Sequence, residues 1–247
     1  MEWSLLFAVL GAVFLGALTR STFGFGEAVV SMPILALLPL KLNTSVSLIG
    51  LAGLMVALLS LKSGWKEIDK PVILKLAITT IVGIPIGIFI IKSIPSIYVT
   101  TGLGVFLVLY GVYSLGKPYL FNSVSKERFS NPNWALPFGL ASGALGSAYN
   151  FNGVPVVIYA TLQKWEPSKF RSMMQAHFLI SGMFIVSGQA IGGLWSKELF
   201  ILFGLSLPFI LLATWLGRVV HQKIHPKKFE RYVYILIIVL GIMLLIT

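Results

Sequence analysis

The sequence predicts an all-α polytopic membrane protein built from two inverted repeats of five helical segments each. Three observations predict it: an apolar composition, ten apolar runs separated by short polar gaps, and a reversal of gap charge between the halves. Hydrophobic residues make up 57% of the 247, charged residues 11%, and the mean hydropathy is +0.91. Soluble domains carry about 25% charged residues, and a chain of this length has too little interior to hide so much apolar surface. Lipid is therefore the solvent for most of it, and one membrane domain accounts for the length. The net charge of +11 sits in the gaps. That pattern fits loops facing anionic lipid rather than a nucleic-acid partner.

A crossing helix needs about 20 apolar residues. The first run, 3–20, meets this and ends at Arg20. Glu2 stands where a secretory leader carries Lys or Arg, so this run is expected to stay as a helix. The glycine-rich break 22–27 (TFGFGE) follows, then the short run 27–40. Runs 45–61, 71–91 and 97–116 reach or approach full length. The polar stretch 117–133, with SVSKERFSNPN, is expected to be a cytoplasmic linker between a first repeat, 1–116, and a second, 134–247. Runs 134–148 and 154–163 are short and flank a second break, SAYNFNG at 147–153. Short runs beside polar breaks read as half-helices or re-entrant pieces. Runs 172–195, 198–217 and 232–247 complete the chain.

If all ten segments alternate in direction, Lys41, Lys92 and Lys197 fall on one side and the other basic residues fall opposite. Merging the short runs into broken single spans abolishes that bias. The positive-inside rule therefore favours ten alternating passages in a cell (inner) membrane, with both termini outside. Aligning Ser21–Gly26 with Ser147–Asn152 superposes the breaks, brings Pro95 near Pro226 and matches Gly111 with Gly241. Equivalent gaps then carry opposite charge character: 41–44 has one Lys where 164–171 is basic, and 62–75 is basic where 196–198 has one Lys. Halves that insert in opposite directions behave this way. In secondary transporters of that build the substrate site lies where the broken helices meet.

The first break suits an anion. Gly24 and Gly26 permit left-handed backbone, and a helix starting near Glu27 would aim free amides and a positive dipole end at the break. Arg20 adds a planar donor fork that matches an oxyanion, and serves equally as a cytoplasmic anchor. Thr22 and Phe25 complete the break as candidate contacts. Glu27 is the acidic residue inside an apolar run. It is a candidate carrier of a coupled proton, or an ion-pair partner of Arg20. In the second break, Asn150, Asn152 and Gly153 are candidate contacts; Asn152 could instead cap the next helix, which Pro155 suits in its first turn. His177 is a second candidate proton carrier. For it, as for Gln163, Gln175 and Gln189, an interhelical hydrogen bond is the commoner role.

Other classes fare worse. The cysteine count of zero removes disulfides and thiolate metal sites, and no HExxH or Walker A pattern occurs, so no metal or cofactor is expected. An anion channel would need a continuous polar stripe. An intramembrane serine protease would use Ser142 in Gly139–Gly143 with His177 as base, but Ser142-Gly143 serves equally as a small-residue packing face. A purely structural scaffold would bind no ligand.

Two stretches carry a family resemblance. FGFGEAVVSMPIL (23–35) resembles the glycine-rich motif, followed by a proline, of the TauE/SafE sulfite-exporter family. NFNGVPVVIYATLQKWEPSKFR (150–171) resembles its second-half motif, where a Gly-Pro-Pro run precedes a helix and a Trp and an Arg follow. The resemblance implies a transporter of sulfite, an organosulfonate or a related sulfur-containing or carboxylate anion, with proton coupling, and places substrate contacts at 22–27 and 150–155. Two positions depart from it: Glu27 replaces a small or apolar residue, and Val154 stands where the first proline of the pair is usual.

Overall fold

A computed structural model of the chain describes residues 3–60, 67–120, 131–221 and 226–246. Ten α-helices account for nearly all of them, with no strand among the described residues. The first five are α1 (Trp3–Phe23), α2 (Glu27–Ala36), α3 (Leu42–Leu59), α4 (Lys70–Ser93) and α5 (Ser96–Leu120). A 3₁₀ turn at Pro132–Trp134 leads into α6 (Ala135–Tyr149), α7 (Gly153–Leu162), α8 (Pro167–Ile191), α9 (Lys197–His221) and α10 (Pro226–Ile246). Most of the expected linker, 121–130, lies outside the described residues.

Helices α1, α3, α4, α5, α8 and α9 are long and apolar enough to cross a membrane. At 10 residues each, α2 and α7 are too short to cross as regular helices. Leu74, Ile78 and Phe89 on α4, Leu109 on α5, and Phe200, Ile201 and Trp215 on α9 are exposed. A belt of large apolar side chains on this scale belongs in lipid, and the protein is a multi-pass membrane protein.

Local chemistry sets the helix ends. The Asp69 carboxylate accepts from the Val72 amide at 3.3 Å and caps α4. Helix α8 starts five residues before the apolar run expected at 172–195, because Pro167 suits a first turn and needs no amide partner. It also stops earlier, at Gly192-Gly193, where Gly193 is left-handed with φ 72°. Lys164, with φ 49°, closes α7: its own amide bonds to Thr161 O and that of Trp165 to Ala160 O.

Glycine seams bring the crossing helices together. Helix α4 lies against α6 with Gly83 facing Gly143, Gly87 facing Ala144 and Ser147, and Gly139 facing Leu76 and Thr79. A Cβ at Gly83 would stand 2.2 Å from Leu140 O, and one at Gly143 2.0 Å from Thr80 O. The Thr80 hydroxyl donates to Gly139 O at 3.1 Å and that of Ser147 to Ile84 O at 2.9 Å across the same seam. Such small-residue contacts drive helix association where lipid supplies no hydrophobic force. Most of the larger packing contacts interchange when the first five helices are swapped with the last five, although α2 packs on α5 and α10 where α7 does not do so to the same extent. Helix α4 on α6 corresponds to α9 on α1, α3 on α9 to α8 on α4, and α1 on α3 to α6 on α8. Helices α3 and α8 meet each other, as do α5 and α10, and side chains at both breaks reach α3 and α8.

Candidate functional site

The first break begins where α1 stops. Gly24 is left-handed with φ 84°, and its amide bonds to Arg20 O at 2.7 Å. Gly26, with φ 95°, turns the chain into α2. A side chain at either position would be strained, which is why glycine stands there. This turn folds Glu27 back onto the last turn of α1. There Arg20 Nη1 donates to Glu27 Oε2 at 2.9 Å and to the Gly53 carbonyl of α3 at 2.8 Å. The guanidinium carbon lies 4.2 Å from the Phe178 ring centroid, a cation–π contact with α8. Arg20 and Glu27 are 7% and 5% exposed, so Arg20 does not anchor at the lipid headgroups; it is enclosed by protein. Arg20 Nη2 and Glu27 Oε1 are buried with no partner.

The second break repeats part of this geometry. Asn150, aligned with Gly24, is also left-handed, with φ 60°, a conformation asparagine tolerates. Its side-chain amide donates to Val46 O of α3. Phe151 packs 5.5 Å from Phe106, and the Tyr149 hydroxyl donates to Val99 O at 3.0 Å, tying the break to α5. The capping role open to Asn152 is not what its side chain does. Asn152 has helical backbone angles and makes no side-chain cap bond; its amide donates instead to Ser181 Oγ on α8 at 2.7 Å.

Behind Asn152 lies a buried network. Ser142 Oγ donates to Asn152 O at 2.7 Å and meets His177 Nε2 at 2.9 Å, and Nε2 is 3.3 Å from the same carbonyl. Carrying a proton on Nε2 satisfies every contact. The serine hydroxyl then spends its proton on a backbone carbonyl and accepts from the imidazole. A nucleophile activated by a base needs the reverse polarity. Ser142 is fully buried, and this cluster fastens the second break to α6 and α8.

One cavity joins the two breaks. From the first, Arg20, Phe25, Gly26 and Glu27 line it; from the second, Asn150, Asn152 and Gly153. Its volume open to water centres is about 40 Å³, room for a few waters or a small solute. Thr22 and Gly24 do not line it. The Thr22 hydroxyl bonds back to Leu18 O at 2.8 Å, and Gly24 makes the turn. His177 stands one step behind Asn152. Gln175 donates to Ala57 O at 2.8 Å, an interhelical bond between α8 and α3.

The lining also draws on α3 and α8, with Gly50 and Gly53 from the first and Phe178 and Gly182 from the second. A Cβ at Gly53 would stand 2.9 Å from Glu27 Oε2 and 3.1 Å from Arg20 Nη1. The sequence signal for Gly50 and Gly53 is a pair of small residues three apart, which also reads as ordinary helix packing; Phe178 and Gly182 carry no such signal.

Neither a curated protein nor a solved structure matches the chain. The family model of the sulfite exporter TauE/SafE matches residues 8–244, a stretch that contains both breaks and the helices that enclose the cavity. On that match the chain belongs to the TauE/SafE sulfite exporter family of membrane transporters.

Proposed function

We propose that the chain is a secondary transporter of a small anion, such as sulfite, an organosulfonate or a related sulfur-containing or carboxylate anion, working by alternating access. The observation that carries this is the shared cavity, where a buried guanidinium keeps one nitrogen, Arg20 Nη2, without a protein partner. A buried donor left open in a cavity is an invitation to an acceptor from outside. The first-turn amides of α2 add donors and a favourable dipole end; in α7, where the Val154 amide bonds to Phe151 O and Pro155 has none, the Gly153 amide is the donor nearest the cavity. In this reading Arg20 and those amides hold the anion, and Asn150 and Asn152 orient it. Glu27, beside the cavity, or His177, behind it, carries any coupled proton.

The interchange of the larger packing contacts between α1–α5 and α6–α10 supports two repeats; in this reading they are inverted, with 117–133 as the cytoplasmic linker between them. One repeat would rock against the other around the cavity and open it to each side in turn. Both termini would then lie outside.

Uptake of labelled sulfite and small sulfonates into proteoliposomes tests the proposal. Saturable uptake should disappear in Arg20→Ala and Asn152→Ala. Because Arg20→Ala strands Glu27, the double variant Arg20→Met/Glu27→Leu serves as a folded control, since apolar replacement of a buried pair is often tolerated. Unchanged uptake in all three variants would overturn the site. Flux that never saturates would point to a channel.

A further inference from the structure

We infer that the cavity takes a small zwitterion, a compact molecule with an anionic end and an ammonium end. This rests on the transporter reading above and narrows its substrate class. Three buried side-chain atoms at or beside the cavity have no protein partner: Arg20 Nη2, Glu27 Oε1 and Gln189 Oε1. The first is a donor and the other two are acceptors. A bare oxyanion serves the donor and leaves both acceptors unmet, whereas a ligand that also donates serves all three.

Charge points the same way. Among the residues lining the cavity, Arg20 and Glu27 are the charged ones, so the lining is formally neutral. A net anion entering there gives up its hydration and meets a carboxylate beside the guanidinium. A zwitterion lays its anion on Arg20 and its ammonium on Glu27, and both ends exchange water for a counter-charge.

Space is arranged to match. Gly53 leaves α3 flush against the ion pair. One turn away, a Cβ at Gly50 would stand 2.7 Å from Gln189 Oε1 and 3.0 Å from Asn150 Oδ1. Two glycines three apart therefore set a charged pole and an amide pole roughly 4.5 Å from each other along α3. Turning the Gln189 amide over would not satisfy its oxygen. Its nitrogen already faces two acceptors, Ser147 O at 3.4 Å and Asn150 Oδ1 at 3.5 Å.

The test uses matched pairs on the purified full chain. Titration calorimetry compares 2-aminoethanesulfonate with ethanesulfonate, 3-aminopropanoate with propanoate, and sulfite alone. In one pair or both, the amino compound should bind roughly tenfold or more tightly than its partner and than sulfite. Glu27→Gln should bring that ratio close to one. If sulfite or the amine-free partners bind as tightly as the amino compounds, the zwitterion is overturned and the anion transporter stands. A ratio that survives Glu27→Gln also overturns it. No binding by any of the five overturns both. The wild-type comparison decides the matter even if Glu27→Gln does not fold.

Discussion

Arg20 and Glu27 are seven residues apart in sequence and 2.9 Å apart in space, because the left-handed glycines between them fold α2 back on α1. Removing one partner of such a pair leaves the other charged and buried. Arg20→Ala should therefore lower stability in detergent by about 3–5 kcal/mol, while Arg20→Met/Glu27→Leu recovers most of that loss. Thermal unfolding of the three proteins side by side checks this; equal melting temperatures would mean the pair is not enclosed. Ser142→Ala should behave differently. It removes two buried hydrogen bonds, one donated to Asn152 O and one accepted from His177 Nε2, so about 1–3 kcal/mol of stability should go while uptake persists. Abolished uptake in a well-folded Ser142→Ala would give that hydroxyl a direct part in the activity.

At the scale of the helix, glycine does two separate jobs that substitution can tell apart. In the α4–α6 seam it is there for close approach. Gly83→Ala or Gly143→Ala drives a methyl group into the facing backbone and should cost about 1–3 kcal/mol. A methyl group added at Gly11 on α1 or at Gly204 on α9 would meet no other part of the protein within 4 Å. Alanine there should be neutral, or stabilising by up to about 1 kcal/mol, through helix propensity alone. Melting curves for the four single variants should fall into these two groups. Equal effects would mean that α4 and α6 do not meet along this seam. The short helices α2 and α7 follow from the same local logic. Each begins just past a break, ends after 10 residues and has its first turn buried, so each brings a helix N-terminus into the protein interior.

At the scale of the whole molecule, the topology is testable because the chain contains no cysteine. Single cysteines placed at the exposed positions Lys41, Lys92 and Lys197 should react with an impermeant maleimide from outside intact cells. Cysteines at Lys70 and Lys164, also exposed, should react only after the membrane is opened. Labelling of both sets from one side would end the ten-passage arrangement. Much of the helical fold was legible in the chain itself. Apolar composition, run length and the chemistry of Gly24, Gly26, Asn150 and Pro167 are local properties, and local properties are enough to name a membrane protein, count its helices and mark its two breaks. They also carried the family motifs. Most of what residues 20–27 and 150–153 touch was not legible. The Arg20–Glu27 pair, between near neighbours in the chain, was one of the readings open in the sequence, and the fold selects it over an anchor at the lipid. That Gly50, Gly53, Phe178 and Gly182 line the cavity, and that Asn152 bonds to Ser181 instead of capping its helix, depend on α3 and α8 passing both breaks. Those contacts join residues far apart in sequence through close packing, and no pattern within a single helix encodes which distant helix will lie against it.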